Sequence, residues 1–177
     1  MRRSWSAKLT WAGILSVVLG LGIASAQTGE HDFVSQAAMS NMAAIQLGHL
    51  ATKKAQHADV KMFAQMTIDE NLKAQQQLAD AAYGAGIRWP TKLDERHQQI
   101  QQRLSKLSDE QFDREYMKAM VDRDRDVEKM LAARVSKDGD QPPLAAKVNQ
   151  WAAMTLPQIR AHLKEAEQVS GQLEKAE

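Results

Sequence analysis

Residues 59–83 read DVKMFAQMTIDENLKAQQQLADAAY, and within them Val60, Ala64, Thr67, Asn71, Ala74, Leu78 and Ala81 recur at intervals of three and four. That interval is the period of one face of an α-helix, and Ala, Gln, Met, Leu and Lys are good helix formers. The same stripe repeats three more times. It runs through Phe33, Ala37, Ser40, Ala44, Leu47 and Ala51, then through Met117, Met120, Asp124, Val127 and Leu131. Its last appearance takes in Val148, Ala152, Thr155, Ile159, His162, Ala166, Val169 and Leu173. No stretch shows the apolar–polar alternation of a strand.

Helices are therefore expected over 32–55, 59–83, 109–137 and 143–175, with a shorter one near 92–107. Ser108 with Gln111 reads as a capping box opening the helix at Asp109. Pro157 should kink the last helix or restart it after Thr155. Two short connections flank a long one over 84–108, which holds Gly84-Ala85-Gly86 and Trp89-Pro90. Short connections make antiparallel hairpins, and the long one can run back along a bundle. The expected fold is all-α: a ferritin-like four-helix bundle of hairpin, long crossover with an extra short helix, and hairpin.

Outward from the helices, residues 1–26 have a different character. Arg2, Arg3 and Lys8 precede an apolar run from Leu9 to Ile23, and Ala24-Ser25-Ala26 supplies a small-residue cleavage site. This is the pattern of a secretory signal peptide cut before Gln27. The run is too short and too rich in Gly and Ala to favour a membrane anchor. The residues around Arg2-Arg3 match a twin-arginine signal poorly. The expected domains are a signal at 1–26 and the bundle at 27–177, in a protein that is periplasmic or otherwise exported. Outer-membrane association is compatible with that location, and no transmembrane span is expected in the mature chain.

Three of the 23 Lys and Arg fall in the signal and none of the 22 Asp and Glu, so the mature chain carries −2. With no basic cluster interleaved with aromatics, nucleic acid is not an expected partner. The chain has no cysteine, which excludes disulfides, covalent haem attachment and cysteine-held iron–sulfur clusters.

Asn71, Asp124 and His162 interrupt otherwise apolar stripes near the middle of their helices, while Ala44 stands at the corresponding height on the first. In an antiparallel bundle these midpoints share one level. Two readings follow. One is a structural knot in which a carboxylate pairs with an imidazole and an amide fixes register. The other is a divalent-metal site using His162 and Asp124, with Asn71, Thr67 or water completing it. No Glu-x-x-His occurs, so no di-iron centre is expected. Haem held by His162 with Met39 or Met42 is disfavoured, because Met is the usual gap-filler of helical cores. His31, His49, His57 and His97 sit among polar neighbours and read as surface residues. The run Asp122 to Asp126 reads as a solvated face, with only Asp124 on the core stripe.

Phe63-Ala64-Gln65-Met66 followed by Asp69-Glu70-Asn71 and Leu78 resembles the second helix of domain-of-unknown-function family 4142, a group of exported bacterial proteins often labelled outer-membrane proteins. Phe112-Asp113, Tyr116 and Met120-Val121 resemble its third helix, and Leu156-Pro157 with His162-Leu163 its fourth. The resemblance spans roughly Phe33 to Ala166 and implies a ferritin-like fold without implying a substrate. It also implies departures. The family usually has Glu where this chain has Ala44, and His where it has Asn71 and Asp124; His162 alone keeps the pattern. The function expected is a non-enzymatic cell-envelope binding or stress-related module, the alternative being a metal-binding or redox protein using His162 and Asp124.

Overall fold

The computed structural model describes residues 21–136 and 141–175. Five helices follow one another: α1 (Leu21–Lys54), α2 (Ala58–Ala81), α3 (Glu95–Ser105), α4 (Asp109–Val135) and α5 (Pro143–Lys175). No strand occurs among the described residues. Most of the secretory signal expected over 1–26 lies outside them. No described helix is long and apolar enough to cross a membrane.

Helix α1 packs along α2, and α4 along α5; α2 also lies against α5 and α1 against α4. Neighbours run antiparallel, so α2 and α4 point the same way and residues 82–108 return the chain along the bundle. On that return, α3 leans on α1 and α4 and buries Leu104. Asp94 starts α3 by accepting the His97 N–H at 2.9 Å. Burial works to raise its carboxyl, but the His97 backbone and ring outweigh this and hold it below its ordinary value.

Two features fix the corners. Where α1 turns into α2, the buried carboxylate of Asp113 reaches across from α4 and accepts the backbone N–H groups of Gln56 and His57, the latter at 2.7 Å. Further along the same hairpin, Gly48 lets the helices close up. A Cβ built there would stand 2.7 Å from Ile68 Cγ1 and 3.1 Å from the Ala64 carbonyl oxygen.

The core comes in two apolar halves. One gathers Leu47, Phe63, Phe112, Tyr116 and Met120 at the Asp113 end. The other gathers Val34, Leu78, Leu131, Val148 and Trp151 at the opposite end. Between them the facing residues are small or polar: Ser40 and Ala44, Thr67 and Asn71, Arg123 and Asp124, Thr155 and His162. That middle layer holds the buried polar residues that the sequence stripes single out.

One local expectation needs correction, and of the two alternatives at Pro157 one is ruled out. Helix α4 does open at Asp109, but Ser108 makes no side-chain cap. Asp109 adopts φ 51°, which turns the first helical turn away from the Ser108 hydroxyl; only the Ser108 carbonyl engages, accepting the Phe112 N–H at 3.1 Å. Nor does α5 restart after Thr155, since one helix runs through Pro157. The carbonyl that loses its donor belongs to Ala153, which is exposed, so water can satisfy it.

Candidate functional site

His162 and Asp124 meet across α5 and α4. The imidazole Nδ1 lies 2.7 Å from Asp124 Oδ2, with both residues buried. The other ring nitrogen, Nε2, lies 3.1 Å from the Thr67 hydroxyl on α2. Thr67 has one hydroxyl proton and a second acceptor within reach, the Phe63 carbonyl at 2.8 Å. With the ring proton on Nδ1 facing Asp124, Nε2 is engaged when the hydroxyl donates to it rather than to the Phe63 carbonyl. Phe63 also covers the imidazole face, with ring centroids 4.4 Å apart.

Asn71 does not touch this pair directly. It joins through Arg123, whose guanidinium donates to Asp124 Oδ1 and to Asn71 Oδ1, both at 2.6 Å. The Arg123 Nε–H reaches Ser40 on α1 at 3.3 Å, and the Asn71 amide donates to the Thr67 carbonyl at 2.8 Å. One network thus ties all four bundle helices together at mid-height. Arg123 is 8 % exposed, so the reading of its charge run as a solvated face fails at that residue. A carboxylate as deeply buried as Asp124 needs a cation, and that requirement was the available clue.

The electrostatics follow from burial. Tyr116 lies beside Thr67, Asp124 and Arg123, and among the described residues its buried hydroxyl has only the Thr67 side chain near enough to act on it as a hydrogen-bond partner, without a well-formed bond. Burial pushes the phenol far up, Asp124 adds to the rise, and Thr67 and Arg123 oppose it. Glu70 stands at the solvent edge of the layer. Burial raises its carboxyl above the ordinary value, His162 opposes this, and Glu165 and Asp124 add to it.

The donor set suits a guanidinium better than a metal ion. Both Asp124 oxygens and Nδ1 of His162 are committed, Nε2 faces the Thr67 hydroxyl, and a divalent ion at Asp124 would sit beside the Arg123 charge. Among the described residues no three of His, Cys, Asp and Glu cluster closely enough to hold a metal. Met39 and Met42 are half-buried on α1, while His49 and His57 are exposed and His31 and His97 partly so.

A second buried cation also escaped the sequence reading. Arg134, 4 % exposed, donates to Glu30 at 2.8 Å and to Asn149, and lies over the Phe33 ring at 5.0 Å. It links α1, α4 and α5 at the far end of the bundle.

No curated protein and no solved structure matches the chain. Residues 22–169 match a family described as a domain of unknown function (DUF4142). The match takes in nearly all of α1 and α5 and everything between, Asp113 and the mid-height network included, and the chain belongs to that family.

Proposed function

We propose that the protein is an exported, ferritin-like bundle acting as a non-enzymatic binding or stress-related module of the cell envelope, and that its mid-height network is structural. The observation carrying this reading is Arg123, which supplies the layer with its own cation by bridging Asp124 and Asn71. A network neutralised from within has no need of a metal to balance its carboxylate. The two antiparallel hairpins joined by one crossover support the ferritin-like assignment. Arg2, Arg3, Lys8, the apolar run and Ala24-Ser25-Ala26 support export.

The competing reading is a divalent metal on His162, Asp124 and Asn71, which requires the guanidinium to leave. Thermal unfolding with Zn2+, Ni2+ or Mn2+ separates the two. The structural reading expects an unchanged Tm in the wild type. A metal bound at a hundredfold its Kd would add about 2.7 kcal/mol. A rise of that kind, lost in His162→Ala, would favour the metal reading and displace the structural one.

A further inference from the structure

Beside the network a small cavity opens off the layer, lined from all four bundle helices and sharing Ser40, Asn71 and His162 with the network. Its accessible space is about 20 Å³. The space exists because α1 and α2 turn Ala37 and Ala74 toward it, where larger side chains would fill it. Most of the wall is apolar, with Trp151, Val127 and Ile159 prominent. A dry apolar hole would need no occupant. This one has a polar side that does.

Asn41, on α1, lines the cavity and is 5 % exposed, yet its Nδ2 has no hydrogen-bond acceptor among the described residues. Buried amide donors are nearly always satisfied, so an orphan beside a void points to something in the void. Thr155 also lines the space; its hydroxyl proton goes to the Trp151 carbonyl at 2.8 Å, which leaves its oxygen able to accept. Glu70 and Gln158 stand at the mouth and are exposed, giving a polar route in from solvent.

We propose that this cavity is a binding site for one water-sized hydrogen-bonding molecule, water itself in solution, anchored by the Asn41 amide. A single water needs roughly 10–15 Å³ of such space and two to four polar partners, and the site meets both conditions. The occupant accepts from Asn41 Nδ2 and has Thr155 and Glu70 as acceptors for its own protons. A second molecule does not fit, and an anion would meet the carboxylate at the mouth. Ser40, Asn71 and His162 give the cavity a wall in common with the network, but the anchor, Asn41, has none of the network's hydrogen bonds, so the proposal does not depend on whether the network is structural.

The test uses the purified full chain. Nuclear Overhauser measurements should show a direct water contact at the Asn41 side-chain amide protons. Water relaxation dispersion should count one long-lived water fewer in Asn41→Leu and in Ala74→Val, with helicity retained. Asn41 amide protons with no water contact in the wild type overturn the proposal, and so does an unchanged water count in a folded variant. Should Asn41→Leu fail to fold, the wild-type contact and Ala74→Val decide the matter without it.

Discussion

At the scale of single residues, the middle layer divides its work unevenly. Asp124 holds both Arg123 and His162, whereas His162 holds Asp124 and Thr67. Replacing Asp124 strands a guanidinium and an imidazole together; replacing His162 leaves Asp124 still neutralised. Asp124→Ala should therefore cost about 3–5 kcal/mol and His162→Ala only about 1–3 kcal/mol. The double variant should cost less than the sum by about 0.5–3 kcal/mol. Chemical denaturation of the four proteins checks this, and equal, additive losses would contradict the shared network. Asp124 and His162 were legible in the sequence because helical spacing put each on an apolar stripe. Arg123 was not, because its Cα lies off the stripe and only its long side chain curls back into the core. Asn41 escaped for a related reason: it neighbours Ser40 on the stripe, and which of two adjacent small polar residues turns inward depends on the partner helix.

At the scale of elements, the helices and their order were readable from periodicity, and the observed bounds fall close to the expected ones except at α1, which is already helical at Leu21, the first described residue, well before 32. End chemistry was less legible. Ser108 carries a capping-box pattern that the backbone at Asp109 does not use, while Asp94 and His57 cap α3 and α2. Close approach between helices cannot be read from one chain's pattern, and Gly48 is the example. Alanine favours a helix over glycine by about 1 kcal/mol, but overpacking costs about 1–3 kcal/mol. With Ile68 and the Ala64 carbonyl so near, Gly48→Ala should be destabilising. Gly171, in α5 with nothing within 4 Å, should instead gain up to about 1 kcal/mol on becoming Ala. Opposite signs in thermal melts are the expected result. Helix α3 should respond to acid. The Asp94 carboxyl is held below its ordinary value of 3.8, so its contribution is present above that value and is lost as pH falls through the folded one. The protection of the His97 amide, taken relative to its intrinsic exchange rate at each pH, should fall on acidification in the wild type and lose that dependence in Asp94→Asn, which keeps a capping oxygen without a titrating one.

For the whole molecule, residues 1–26 make a prediction of their own. Protein purified from the cell envelope should have the intact mass of a chain beginning at Gln27, and a retained 1–26 would point to an anchor. The Asp113 contact bears on how such a chain is made. The corner between α1 and α2 is finished by a carboxylate 56 and 57 residues further along. At about 5–20 residues per second, the ribosome delivers that carboxylate seconds after the corner has emerged. Until then the first hairpin has bare amide groups at its bend and only half a core to lie on. If that contact is what sets the corner, the hairpin should reach its final form only after α4 has been made, so a chain stopped before Asp113 is expected to show less amide protection at Gln56 and His57 than the full one.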